Sequence, residues 1–147
     1  MAEAIKVVCR FKGHEELNKA EQDMWEIDKT SIKAPNLHGK GHGNRNLEFT
    51  FDYILDGDAT QDKMYHYAGA DTVKQFTEGY NGTIFAYGMS GTGKTFSMLG
   101  PEEVVDVIKK GGDIPQETQA LYGIIPRAIR DLFLFMNEAT EKDQAQF

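Results

Sequence analysis

The spacing of apolar and polar positions predicts a mixed succession of strands and helices. β-Branched and apolar residues dominate from Ile5 to Phe11, which predicts a strand. Gly13 to Gln22 is polar and reads as a loop or short helix, and Asp23 to Asp28 alternates weakly, as a short strand would. Lys29 to Asn46 is polar and carries Pro35, Gly39, Gly41 and Gly43, so it reads as an irregular, solvated loop. Leu47, Phe49, Phe51 and Tyr53 share one face of a period of two, predicting a half-buried strand from Leu47 to Tyr53. After a turn at Asp56 to Thr60, Tyr65, Thr72, Val73, Phe76 and Tyr80 recur at helical spacing. One helix is therefore expected from Asp62 to Gly79, with this stripe on the core.

Asn81-Gly82 turns the chain into Thr83 to Tyr87, a short apolar run of the kind buried on both faces of a parallel sheet. Helices are expected from Lys94 to Leu99 and from Glu102 to Lys110, the second broken at Gly111. A last helix is expected to start with Pro126 and to present Ile129, Leu132, Phe133 and Met136 on one side. Glu138 to Phe147 is polar and ends without a stop signal. The expected fold class is α/β.

Length narrows this to one domain or part of one: the chain has 147 residues, 40% of them apolar and 27% charged, as in a globular protein. The net charge of -7 argues against a general nucleic-acid binder, which carries a basic surface. A single cysteine, Cys9, excludes an internal disulfide framework and fits a reducing compartment; inside a strand it reads as an inert thiol. The N-terminus has no secretory pattern, and the most apolar stretch, Leu121 to Met136, is interrupted by Arg127, Arg130 and Asp131, so no membrane span is expected. Asn81-Gly82-Thr83 matches a glycosylation sequon by chance on this reading. Asp56 to Thr60 begins like a calcium loop but has Gln61 where the sixth-position glycine should be. His14, His38, His42 and His66 lack the partners of a zinc site.

One motif carries chemistry. Gly88, Met89, Ser90, Gly91, Thr92, Gly93, Lys94 and Thr95 match G-x-x-x-x-G-K-[ST] completely, between an apolar run and an expected helix. The glycines let the backbone curl so that successive amides, from about Gly91 to Thr95, converge on phosphate oxygens, at the positive end of the helix that follows. Lys94 is placed to reach the β- and γ-phosphates, and the Thr95 hydroxyl to ligate Mg²⁺.

The flanks narrow the class. Tyr80 to Gly88 leading into Ser90 to Thr95 closely resembles the kinesin motor domain, with Met89 and Thr92 as mild departures at variable loop positions, as do Phe49 to Asp52 with Gln61 and Tyr65 beyond it, the Ile5 to Phe11 strand, and Gly123 to Arg127 before an apolar helix. The matches are in order and span nearly the whole chain. The resemblance implies a partial P-loop NTPase sheet with flanking helices, and a parent that hydrolyses ATP with Mg²⁺ to move along microtubules. It assigns Arg10 to the adenine-lining stretch. There Lys12 and Gly13 stand where the family has a second arginine and a proline, so the flat ring face of that proline is missing. Phe96, following the loop threonine, offers a ring that could stack on adenine.

The sequence holds no stretch like either switch region of that family, and no sustained heptads. On this reading residues 1–147 are the N-terminal part of a motor domain, less than half of it. Hydrolysis and contact with microtubules (tubulin) then belong to missing segments, and no catalytic residue is assigned. The expected location is cytoplasmic, on the cytoskeleton. An absent central strand would also leave a gap in the sheet, so the chain alone is expected to be marginally stable. The alternatives are a small-molecule kinase, for which no lid arginine cluster is visible, and a nucleotide-binding module that does not hydrolyse. Arg127 is expected to hold a structural ion pair. Oligomeric state, direction of travel and cargo lie outside these residues.

Overall fold

The structure, a computed structural model, describes residues 5–13, 25–34, 47–111 and 116–143, and it is mixed α/β. The expected loop or helix at Gly13 to Gln22 lies almost wholly outside the described residues, as do the Lys29 to Asn46 segment beyond Ala34 and the last four positions. The chain forms two compact units, Met1–Ala59 and Thr60–Phe147.

The first unit holds two small sheets. β1 (Val8–Arg10) pairs in parallel with β5 (Tyr53–Leu55), Cys9 opposite Ile54. β2 (Glu26–Ile27), β3 (Ser31–Ala34) and β4 (Leu47–Thr50) form an antiparallel sheet in the order β2-β3-β4. Ile32, Ile54, Leu55 and Ala59 are its buried apolar residues.

Two expectations are corrected here. Ser31–Ala34 is a strand, not loop: its backbone pairs on both sides, and Ile32 sits opposite Ile27 and Phe49. Its single large apolar residue was too weak a pattern to read. The expected strand Leu47 to Tyr53 is really two strands in different sheets. At the switch, Asp52 Oδ2 accepts from the Val7 amide at 2.7 Å, and the Asp52 amide donates to the Val7 carbonyl at 3.1 Å. The alternation holds, yet Leu47 and Phe49 stay about half exposed.

The second unit is built on helices: α1 (Gln61–Ala68), α2 (Ala70–Thr77), α3 (Lys94–Met98), α4 (Glu102–Lys110) and α5 (Ile124–Asp143), with a 3₁₀ turn at Gln116–Leu121. Thr60 caps α1, its hydroxyl accepting from the Lys63 amide at 3.2 Å. α4 has Glu102 and Glu103 in its first turn and Lys109 and Lys110 in its last, as the helix dipole favours, and Gly111 in the left-handed conformation ends it. α5 packs against α1, α2 and α3. Tyr65, Val104, Tyr122 and Ile124 are the buried apolar residues.

The expected helix from Asp62 to Gly79 is divided at Gly69. A side chain at 69 would come within 2.9 Å of the Tyr65 ring, so Tyr65 packs over the break. The last helix starts at Ile124, two residues before Pro126. The stripe expected on the core is only partly buried: Phe76 is 55% and Tyr80 60% exposed, and on α5 Ile129 and Phe133 are equally open. Thr83 to Tyr87 forms no strand. Apolarity makes a run fit to be a strand, but only a hydrogen-bonded neighbour makes it one. Among the described residues none pairs with it, and Phe85 and Tyr87 stand in solvent.

Candidate functional site

The segment 88–95 folds as a tight loop that runs into α3. Gly93 is the helix N-cap and is left-handed, with φ +93° and ψ 21°, and Gly91 has φ +80°. Both conformations are strained for a residue with a Cβ. Nothing lies within 4 Å of where a Cβ would stand on either glycine, so the space there is open for a ligand to approach the backbone. Thr92 staples the loop: its hydroxyl donates to the Met89 carbonyl at 2.8 Å and its amide to the same oxygen at 3.4 Å.

Lys94 folds back over the loop. Its Nζ donates to the Gly88 carbonyl at 3.0 Å and to the Met89 carbonyl at 2.7 Å. An ammonium has three N–H donors, so two such bonds fix its position without exhausting it. The Thr95 residue is exposed at the first turn of α3, and Ser90 is exposed in the loop. The Phe96 side chain is open as well, at 41% residue exposure. The expected residues Gly88, Met89, Ser90, Gly91, Thr92, Gly93, Lys94, Thr95 and Phe96 therefore lie together on one continuous segment, the loop and the first turn of α3. Arg10 belongs to the first unit. It is part-buried on β1, and its Nη2 donates to the Ala59 carbonyl at 3.0 Å.

A five-residue helix is too short to stand by itself, and packing must hold it. The supports come from residues to which the sequence reading gave no role at the site. The Gln61 side chain, 4% exposed, donates from Nε2 to the Phe96 carbonyl at 2.6 Å. The Gly123 amide donates to the Leu99 carbonyl at 3.1 Å, just past the end of α3. Gly123 lies so close to this turn that a Cβ would stand 2.5 Å from the Leu99 nitrogen and the Met98 carbonyl carbon. Arg127, one turn into α5, braces the segment before Gly123. It donates from Nε to the Tyr122 carbonyl at 2.8 Å and from Nη2 to that of Ala120 at 3.0 Å. The same guanidinium reaches Asp62 on α1 at 3.0 Å, so the expected ion pair is present. The glycine at 123 and the arginine four residues later were the visible signals, but nothing in their spacing pointed to α3.

The donor set fits a polyphosphate: glycine backbone with clear Cβ positions, an ammonium held on the loop, and a hydroxyl at a helix start. A loop hydroxyl suits Mg²⁺, which keeps several waters and takes its other ligands from phosphates. Among the described residues no three His, Cys, Asp or Glu side chains are grouped to hold a metal without such a partner. His66 packs edge-on to Tyr67, ring centres 4.8 Å apart. Burial raises the Cys9 thiol above its ordinary pKa, consistent with an unreactive strand residue. No described helix is long and apolar enough to cross a membrane.

Comparison with known proteins gives one family. A family model describing the kinesin motor domain matches residues 9–147. Kinesin-related protein 3 of Dictyostelium discoideum is 36% identical over 139 residues, covering 94% of this chain and 10% of that protein. Kinesin-like protein KIF15-B of Xenopus laevis is 42% identical over 146 residues, covering 95% of this chain and 9% of its own length. Kinesin-like protein KIF15 of Homo sapiens is 33% identical over 141 residues, again 95% and 9%. The chain thus spans a tenth or less of the length of these relatives.

Proposed function

This chain belongs to the kinesin motor domain family, and from that premise we propose that it is the MgATP-binding part of a motor that couples ATP hydrolysis to movement along microtubules. The observation that carries this reading is the position of Lys94: it is the first residue of α3, its ammonium is held by its own loop at 3.0 and 2.7 Å, and the Cβ positions of Gly91 and Gly93 in the same loop are clear. In this reading the amides from Gly91 to Thr95 and the Lys94 ammonium hold the β- and γ-phosphates. Thr95 contributes one oxygen to Mg²⁺, which when bound offsets charge on those phosphates. Phe96 provides an open ring for the adenine, and the family resemblance assigns Arg10 to the adenine-lining stretch. The expected proline face at position 13 is replaced by Gly13, so the base is held less firmly than the phosphates.

Residues 1–147 act here as the N-terminal part of the motor domain. Attack of water on the γ-phosphate and the grip on tubulin belong to switch and track-binding segments that this sequence does not contain. The motor is then microtubule-associated, in the cytoplasmic cytoskeleton. The same absence favours a second reading for the chain by itself: nucleotide binding without turnover. The test is a titration of the chain with a fluorescent ATP analogue in Mg²⁺, with Lys94→Ala beside it. Saturable binding that the variant weakens by roughly 10- to 100-fold is expected, the range for losing a charged hydrogen-bond donor. Equal affinities would remove the assignment of the site. Phosphate release measured in the same samples separates the two readings.

A further inference from the structure

We propose that Gln61 is a positioning residue for the phosphate loop, acting through a side-chain hydrogen bond on the helix that carries Lys94 and Thr95. The inference rests on the reading of that loop as a nucleotide site. It starts from how α3 ends. A helix leaves its last carbonyls without helical partners, and in five residues that is most of them. The Gly100 amide, which a continuing helix would direct at Phe96, instead lies 3.4 Å from the Thr95 carbonyl, and Pro101 brings no N–H at all. The Phe96 carbonyl accepts from the side, from Gln61 Nε2 at 2.6 Å.

Gln61 suits this task by its place in the chain. It is the first residue of α1, directly after the Thr60 cap, so its backbone is fixed by a different helix from the one its side chain holds. It is also one of three buried polar residues among those described, with Ser97 and Arg127, and Ser97 is the residue after Phe96. Burying a flexible amide is unfavourable unless it is well bonded, so its orientation is fixed where it is found. The Phe96 carbonyl lies within one turn of both Lys94 and Thr95. A shift of α3 therefore moves the ammonium and the hydroxyl together, away from where phosphate oxygens are held.

The test uses the chain itself with Gln61→Met, which keeps length and bulk but has no donor, and Gln61→Glu, which keeps the shape but replaces the amide donor. Hydrogen exchange is followed at the Ser97 and Leu99 amides, which bond the Gly93 and Thr95 carbonyls. Affinity for a fluorescent ATP analogue in Mg²⁺ is measured in parallel, with Lys94→Ala as reference. Positioning predicts roughly tenfold weaker binding in both variants, the size of one lost hydrogen bond to a buried group. It also predicts faster exchange at Ser97 and Leu99, with α5 amides unchanged. Wild-type affinity and exchange in both variants would overturn the proposal while leaving the Lys94 result standing. Exchange raised equally throughout the unit, or loss of the folded signal in both variants, would also overturn it, since Gln61 would then hold the fold at large. If wild type and Lys94→Ala bind alike, the nucleotide reading fails. Exchange at Ser97 and Leu99 then still decides whether Gln61 holds α3.

Discussion

Arg127 and Asp62 form an ion pair whose two halves live in different surroundings: Nη1 and Oδ1 are 3.0 Å apart, yet the arginine side chain is 5% exposed and the aspartate 80%. The asymmetry decides what each contributes. Asp62 faces water, which screens its attraction, so Asp62→Asn is expected to cost less than about 1 kcal/mol. Arg127 also supplies the donors for two backbone carbonyls, those of Tyr122 and Ala120. Arg127→Met removes both, at an expected cost of about 3 kcal/mol. Arg127→Lys should fall nearer to Met than to wild type, because an ammonium cannot reproduce the planar fork. Urea unfolding of the variants checks the order; equal losses for Asp62→Asn and Arg127→Met would show that the charge pair, not the carbonyl contacts, is what matters.

Gly123 gives a prediction of another kind, from space. A methyl group there would meet backbone atoms of Met98 and Leu99 at 2.5 Å, and backbone cannot swing aside as a side chain can. Gly123→Ala is therefore expected to push the end of α3 away from α5, break the bond from the Gly123 amide to the Leu99 carbonyl, and cost about 2 kcal/mol. The unfolding midpoint and the affinity for the ATP analogue should fall together. An alanine variant as stable as wild type would mean that the two segments are not packed this closely.

Gly123 also marks where sequence reasoning stopped. The loop itself was legible, because its chemistry is local: glycines, a lysine and a threonine at fixed offsets, with a helix after them. The supports were not, because Gln61 and Gly123 act on residues 35 and 24 positions away, and Arg127 reaches Asp62, 65 positions away, through contacts that only the fold creates. Local pattern placed α4 and the turn at Asp56 to Thr60 well. It failed where a neighbour decides the outcome. Ser31–Ala34 is a strand because β2 and β4 pair with it, and Thr83 to Tyr87 is not one because nothing described does. Phe51 and Tyr53 continue the alternation of Leu47 and Phe49, so a period of two could not reveal that the chain changes sheets at Asp52.

Tyr65 provides a pH-dependent check on the packing of α1 against α5. The residue is 6% exposed, and its hydroxyl donates to Asp131 Oδ2 at 2.8 Å. Burial, then the bond to a carboxylate, raises its pKa well above the ordinary tyrosine value of about 10. The folded chain therefore keeps a proton that the unfolded chain releases. The stabilisation linked to this group is complete below about pH 10, the unfolded value, and is lost as pH rises from there toward the folded value. Between these two values the unfolding free energy should fall by up to about 1.4 kcal/mol per pH unit on account of Tyr65. Tyr65→Phe removes the titrating group, so its stability should be flatter over the same alkaline range, although lower at neutral pH for want of the hydrogen bond. Tyrosinate absorbance offers a second reading: in wild type one of the six tyrosines should ionise late, together with unfolding. Parallel alkaline slopes for wild type and Tyr65→Phe would mean that the Tyr65–Asp131 bond does not hold α1 to α5 in solution.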